Sequence, residues 1–458
     1  MVGALGKHLA LIGFMGAGKT TVGRQVAARI HRPFVDLDRE IEKHHGPIPE
    51  VFESHGEEEF RRLEEQALAE ALAGPDSVLA VGGGAVLSSV NRERLAARAF
   101  CVLVPVDVET AWERVRGSDR PLARTEEHFR QLYGQRDRLY NEVADWIAED
   151  VESVVLGALR VLLDGSKIHW STSAHTAVVA DERVLELHGP PVDGALHPIP
   201  PGEQAKAISV LERLWNELQL GRDGRVVAFG GGSTTDVAGY VAATYLRGLP
   251  WIAYPTTLVG QVDAAIGGKT GINLETAKNL VGAFHFPELV VIDPTYLDTL
   301  PEEERRAGMA EVVKTGLLAG REVWSLPETE MIRACAAFKA GVVLADPYER
   351  DGYRTILNLG HTFAHALEAG SGYRVRHGDA VALGLLAALR LSGQPTDAVE
   401  EILQPKTVTA DPDAAWAALK RDKKGEGVFV LLERPGEAIV TTVPDEDARA
   451  ALAALIAK

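Results

Sequence analysis

Short apolar runs alternate with amphipathic stretches along most of the chain, and several runs end in glycines or a carboxylate. His8–Ile12 reads as a first strand, and a helical pattern over Thr21–Ile30 follows it. Phe34–Asp38 reads as a second strand, on which Asp36 and Asp38 share a face, although such a pair also suits a helix N-cap. Val78–Val86 is another apolar run, interrupted by Gly82-Gly83-Gly84. A helical pattern spans Val151–Leu163 and closes at the turn-forming Asp164-Gly165-Ser166. Beyond it, Ala177–Asp181 and Arg225–Phe229 read as strands, and Gly202–Lys206 leads into a helix through Leu218. From Pro301 the pattern is almost wholly helical. Alternating strands and helices predict an α/β architecture with parallel sheets and helices on both faces, followed by an α-helical domain. The expected domains are 1–167, 168–308 and 309–458.

The chain has 458 residues and a net charge of −17, which argues against general nucleic-acid binding and against an anionic membrane surface. Such a chain handles anionic substrates only by concentrating cations locally. Its two cysteines, Cys101 and Cys335, provide no disulfide framework, and no segment approaches the roughly 18 apolar residues of a membrane helix. A cytoplasmic protein is expected.

Between the first strand and first helix lies Gly13-Phe-Met-Gly-Ala-Gly18-Lys19-Thr20, the complete GxxxxGK-Ser/Thr phosphate cradle in its strand–loop–helix context. Backbone amides of Gly16, Ala17 and Gly18, with Thr21 beginning the helix, are expected to wrap nucleotide phosphates. Lys19 should reach the β/γ-phosphates and Thr20 should ligate Mg²⁺, so the domain is expected to bind ATP with Mg²⁺. With the FVDLD carboxylates, GE..FR..E at Gly56–Glu64, GGGA from Gly82, RPL at Arg120–Leu122 and R..LY.EVA from Arg136, residues 1 to about 165 resemble shikimate kinase. The resemblance implies that Asp38, Arg61, Gly83 and Arg136 bind shikimate, with Asp38 accepting the hydroxyl proton. It also implies that Arg120 belongs to a lid that meets the ATP phosphates.

In the second half, Gly230-Gly231-Gly232 ends a strand, with a helix expected from about Thr235, and suits a pyrophosphate less specifically than a spaced GxGxxG would. Asp263, Lys269, Asn273, Lys278 and Asn279 then crowd among glycines and small apolar residues, unlike a solvated face, and point to a polyanionic ligand. Asn358–Glu368, NLGHTFAHALE, places His361 and His365 at i and i+4 of an expected helix. Glu311 and Lys314 share another helix face, and His377 stands at a loop-to-helix junction. Glu311, His361 and His377 form a two-histidine, one-carboxylate set that leaves room for a substrate on a catalytic metal.

Residues 174–458 resemble 3-dehydroquinate synthase through GEQ..K, GGG...D.AG, PTTL..QVD..IGGKTGIN, KN..GAFH.P, MAE..K.G, R..LN.GHT..HALE and HG.AVA. The resemblance implies a Rossmann-like α/β domain plus a helical metal domain, and Zn²⁺ or Co²⁺ at Glu311, His361 and His377. It implies NAD⁺ at Asp181, Glu203, Lys206, Gly231, Gly232, Asp236, Thr256, Thr257, Lys269, Lys278, Tyr296 and Thr299. It implies a heptulosonate phosphate met by Arg247, Asp263, Lys269, Asn279, Lys314, Lys339, Arg354, Asn358, His365 and one lysine of Lys423 and Lys424. Lys314, Glu349 and His365 are the implied proton-handling residues, with Glu349 in a stretch one residue longer than the family spacing. Arg354 and Asn358, two turns and one turn upstream of His361, would extend the metal helix toward the substrate. A homodimer through the synthase half is also implied. An alternative reading is a small-molecule kinase fused to a metal-dependent polyol dehydrogenase, whose relatives lack the GGKTGIN–KN array.

Overall fold

A computed structural model describes residues 2–118, 121–123, 125–163, 175–274, 277–422 and 428–457. The chain forms two compact units, Met1–Arg160 with Ala340–Ala345, and Val161–Lys339 with Asp346–Lys458. The expected boundary at 167 and 168 lies outside the described residues.

In the first unit, β1 (His8–Ile12), α1 (Lys19–Arg29), β2 (Phe34–Asp36), α2 (Leu37–His45) and α3 (Ile48–Ala73, broken at Gly56) come first. They are followed by β3 (Val78–Ala80), α4 (Ser89–Arg98), β4 (Ala99–Leu103), α5 (Val108–Val115), α6 (Glu126–Val143), β5 (Trp146–Ile147) and α7 (Val151–Ala158). The five strands are ordered β2-β3-β1-β4-β5, all parallel. Every residue of β1 and β4 is buried, as expected for strands covered by helices on both faces. Phe34–Asp38 is a strand only as far as Asp36. Asp36 accepts from Arg39 N as the N-cap of α2, so Asp38 sits in that helix's first turn and does not share a strand face with Asp36.

The helical pattern over Val151–Leu163 also stops early. Leu159 closes α7, Arg160 takes a left-handed φ of 54°, and β6 (Val161–Leu163) pairs in parallel with β13 of the second unit's sheet. That unit continues with β7 (Thr176–Asp181), α8 (Glu182–His188), β8 (Ala195–Ile199), α9 (Ile208–Glu217), β9 (Arg225–Gly230), α10 (Gly232–Thr244) and β10 (Trp251–Pro255). A hairpin of β11 (Lys269–Leu274) and β12 (Ala277–Phe284) precedes β13 (Leu289–Ile292). The parallel sheet has the order β6-β13-β10-β9-β7-β8. Helix α10 begins at Gly232, three residues before the expected start, because the glycine turn itself forms its first residue.

The remainder comprises α11 (Glu302–Ala319), α12 (Glu328–Ala345), α13 (His361–Gly370), α14 (His377–Leu391), α15 (Asp397–Leu403) and α16 (Pro412–Asp422). An antiparallel hairpin, β14 (Val428–Arg434) and β15 (Glu437–Thr442), then interrupts the stretch expected to be almost wholly helical, before α17 (Asp445–Ala453). No described helix is long and apolar enough to cross a membrane.

Candidate active sites

The phosphate loop of the first unit connects β1 to α1. Gly16 and Gly18 adopt φ of 84° and 88°, and a Cβ on Gly16 would stand 2.9 Å from the Ala111 carbonyl, so a side chain is strained there twice over. Lys19 Nζ donates to the carbonyls of Gly13 at 2.8 Å and Phe14 at 3.1 Å. Thr20 Oγ1 donates to Asp36 Oδ2 at 2.7 Å, tying the loop to the tip of β2. A cavity of about 260 Å³ over the loop is lined by Gly16, Gly18, Lys19, Thr20 and Arg114. Ala17 is buried and Thr21 exposed, and neither is among its lining residues. Arg120 lies outside the described residues.

A second cavity of about 400 Å³ shares Met15, Thr20, Asp36, Asp38 and Gly83 with the first. Arg61, Glu64, Phe52, Phe60 and Arg136 complete much of its wall. Arg61 donates to Glu64 at 2.7 Å and to Glu57 at 2.9 Å. Arg136, 1% exposed, donates to the Gly83 carbonyl at 3.2 Å, and Tyr140 OH donates to the same oxygen at 2.5 Å. The Nε of Arg136 is buried without a partner among the described residues, a state that an incoming carboxylate would relieve. Burial raises the Glu64 carboxyl against the pull of Arg61, and burial lowers the Arg136 guanidinium. Asp38, Arg61, Gly83 and Arg136 are thus brought to one cavity. Glu64, Tyr140 and Arg114 were missed, although Glu64 stands three residues after Arg61 on the same helix face.

In the second unit, Gly230 (φ 156°) turns the chain from β9 into α10, and a Cβ on Gly231 would meet the Thr257 methyl at 2.9 Å. This leaves a cradle at the N-terminus of a 13-residue helix. Lys206 pairs with Asp236 at 2.5 Å and donates to Asn279 Oδ1 at 2.6 Å. Glu203 accepts from Ser233 at 3.0 Å and Asn273 at 2.7 Å. Thr256 Oγ1 is buried without a partner among the described residues, and Thr257 Oγ1 accepts from Gly260 N at 3.1 Å. Asp181 accepts from Arg183 N at 2.9 Å and Val184 N at 3.4 Å as the cap of α8. Burial pushes Tyr296 up to about 12, and Thr299 shares a 2.9 Å hydrogen bond with His188. The glycine cradle, the orphan hydroxyl and the clustered donors fit a dinucleotide.

A chain of charges, buried at Glu311 and Lys314 and half-buried at Asp263 and Lys339, lies among α11, α12, α13 and α14. Asp263 accepts from Lys339 at 2.6 Å and lies 3.8 Å from Lys314, which pairs with Glu311. Glu311 Oε1 faces His361 Nε2 at 3.5 Å and His377 Nε2 at 3.7 Å. One donor atom from each of these three residues falls within 4.8 Å of the others, a hard–borderline set suited to a divalent transition metal. Burial alone would raise Glu311, but Lys314 and His361 hold it well below the usual carboxylate range. Partial desolvation opposes the protonation of His377, whose ring edge is still exposed, yet Glu311 and Glu368 push it up to about 10. Burial lowers Lys339 to about 8 against the pull of Asp263.

The helix expected over Asn358–Glu368 is broken. Tyr353–Asn358 forms a separate 3₁₀ turn, Gly360 adopts φ 78°, and α13 starts only at His361. Arg354 and Asn358 therefore do not lie on the metal helix. Arg354 is buried and donates to the carbonyls of Pro347 and Gly267, both at 2.9 Å, with Glu349 3.7 Å from its Nε. Glu349, at a left-handed φ of 54°, also pairs with Lys269. His365 is exposed, its ring 5.7 Å from that of His361. Arg247 sits on an exposed turn at φ 68° and takes no part in the hydrogen bonds or ion pairs described above. Lys424 lies outside the described residues. Glu368, which pairs with Lys278 at 3.3 Å and lies 3.6 Å from His377, was missed, though it stands seven residues, about two helical turns, after His361.

Family models match in three consecutive blocks: shikimate kinase over residues 15–162, 3-dehydroquinate synthase N-terminal over 196–307, and 3-dehydroquinate synthase C-terminal over 308–424. A bifunctional shikimate kinase/3-dehydroquinate synthase of Thermotoga maritima is 34% identical over 414 residues, 82% of each chain. A 3-dehydroquinate synthase of Salinibacter ruber is 44% identical over 285 residues, covering 55% of this chain and 77% of the relative. Among solved structures, 2-deoxy-scyllo-inosose synthase complexed with carbaglucose-6-phosphate, NAD⁺ and Co²⁺ is 25% identical, covers 62% of this chain and 91% of its own, and superposes with a TM-score of 0.55.

Proposed function

The chain belongs to the family of bifunctional shikimate kinase/3-dehydroquinate synthases, and on that premise we propose the substrates, cofactors and residue roles of its two activities. The first unit transfers the γ-phosphoryl of MgATP to the 3-hydroxyl of shikimate. Lys19 would hold the β/γ-phosphates and Thr20, through its hydroxyl, would hold Mg²⁺; in the structure that hydroxyl donates to Asp36. Arg61 and the buried Arg136 grip the shikimate carboxylate, and Asp38 accepts the proton of the attacking hydroxyl. Arg120 is assigned to the lid by resemblance.

The second unit converts 3-deoxy-D-arabino-heptulosonate 7-phosphate to 3-dehydroquinate and phosphate. The observation that carries this reading is the continuity of the cluster from Lys339 through Asp263 and Lys314 to Glu311, His361 and His377. When bound, NAD⁺ would supply a hydride acceptor regenerated within the cycle, and Zn²⁺ or Co²⁺ would supply the Lewis acidity that polarises an alcohol. Glu311, His361 and His377 would hold the metal, while Glu203, Lys206, Asp236, Thr256, Thr257, Lys278, Tyr296 and Thr299 would line the dinucleotide. Lys339, Lys269, Arg354, Asn279 and Asn358 present donors to the phosphate and carboxylate, with Arg247 and Lys424 assigned there by resemblance. Asp263 orients substrate hydroxyls. His365, exposed beside the metal histidines, and Glu349, clamped by Lys269 and Arg354, exchange protons with the substrate. A cytoplasmic location is supported by the two buried, unpaired cysteines, and a homodimer through the synthase half rests on resemblance.

The polyol dehydrogenase alternative differs in its redox balance. Incubation with the heptulosonate phosphate, catalytic NAD⁺ and Zn²⁺ should release stoichiometric phosphate without net NADH. Accumulating NADH with no phosphate would overturn the synthase assignment.

A further inference from the structure

The two histidines of the candidate metal set face different partners at their far nitrogens. His361 faces Glu311 through Nε2, and its Nδ1 is 3.2 Å from the Leu359 carbonyl. His377 also faces Glu311 through Nε2, but its Nδ1 points to a side chain, Glu368 Oε1, at 3.6 Å. Metal-binding imidazoles commonly donate their second N–H to a carbonyl or carboxylate that fixes tautomer and ring orientation. The Glu368 carboxylate is itself held in place. It lies on α13, 4% exposed, and the same oxygen accepts from Lys278 Nζ at 3.3 Å. Its backbone carbonyl accepts from Tyr373 N at 2.7 Å and Ser371 Oγ at 2.8 Å, so the turn leading from α13 toward His377 is knotted at the same residue. Lys278 also lies 5.0 Å over the Tyr373 ring, closing a loop of contacts among strand β12, the end of α13 and this turn.

We propose that Glu368 is a positioning residue that fixes the His377 ring with Nε2 free for the metal and, through Lys278, joins the metal site to the dinucleotide strand. The proposal rests on the metal and dinucleotide assignments above. It assigns Glu368 no contact with substrate. Metal binding and dinucleotide binding should therefore be coupled through this carboxylate, reciprocally.

The full-length protein, stripped and titrated with Co²⁺ against a chelator, provides the test. Glu368→Gln should weaken Co²⁺ binding by about 10–100-fold, the usual scale for such outer ligands, and should alter the visible Co²⁺ absorption bands. Co²⁺ should also strengthen NAD⁺ binding in the wild type, and strengthen it less in Glu368→Gln. His361→Ala serves as the reference. If His361→Ala binds Co²⁺ like the wild type, the metal assignment itself is wrong. If His361→Ala loses Co²⁺ while Glu368→Gln keeps wild-type affinity, spectrum and coupling, the proposal is overturned and the metal assignment stands. Should Glu368→Gln fail to fold, ¹⁵N histidine spectra of the Zn²⁺-loaded wild type decide: His377 is expected to carry its proton on Nδ1, and a His377 bound through Nδ1 overturns the proposal.

Discussion

The carbonyl oxygen of Gly360 lies against Gly384 so closely that a Cβ on Gly384 would stand 2.0 Å from it. Gly360 caps α13, whose first residue is His361, and Gly384 lies one helix away on α14, which begins with His377. These two backbones approach closely between the helices that begin with His361 and His377, both of which face Glu311. Gly384→Ala has no flexible side chain to push aside. It should lower the stability of the second unit by about 1–3 kcal/mol or more, as overpacking does, and should weaken metal binding. Calorimetry checks this; an unchanged melting temperature with intact Co²⁺ affinity would show that the helix contact is not what sets the site.

In the kinase cavity the equivalent close approach involves a movable group. A Cβ on Gly84 would stand 1.9 Å from Arg61 Nη1, so Gly84→Ala should displace the guanidinium and break its pairing with Glu64. If Arg61 grips the acceptor's carboxylate, loss of that one charge-assisted contact, worth roughly 1.5–3 kcal/mol, should raise KM for shikimate about tenfold or more. KM for ATP should hardly move. Equal increases in both constants would mean that Arg61 does not read the acceptor.

Lys339 carries a pH prediction. Burial lowers its ammonium to about 8 even beside Asp263, whereas an exposed lysine titrates near 10.4. If Lys339 grips the phosphate, the protonated form is the one that binds. Affinity for inorganic phosphate, measured calorimetrically, should then fall as pH rises through about 8. Lys339→Arg, charged throughout that range, should bind phosphate without the fall. A wild-type profile flat from pH 7 to 9 would remove Lys339 from the phosphate site.

Local patterns carried the reading where chemistry and geometry coincide. The phosphate loop, the strand before it and the helix after it are consecutive, so Gly16, Gly18, Lys19 and Thr20 could be placed from their spacing alone. Asp38 was harder, because a carboxylate after a short strand can continue the strand or start a helix, and the Asp36 cap decided it. Val161–Leu163 continues an apolar helical period. Only its pairing with β13 (Leu162 opposite Val291), a partner far along the chain, makes it a strand. The break at Gly360 was hidden because helical spacing runs through both Tyr353–Asn358 and α13. Glu368 reads as an ordinary surface charge until the fold brings Lys278 and His377 to it.

The central claim is that one chain holds two separate catalytic centres. It is tested most directly by assaying a single preparation for ATP-dependent phosphorylation of shikimate and for phosphate release from the heptulosonate phosphate with NAD⁺ and Zn²⁺. Lys19→Ala should abolish the first activity and leave the second at the wild-type rate, and His361→Ala should do the reverse. Either substitution silencing both activities, or neither activity responding, would contradict the account.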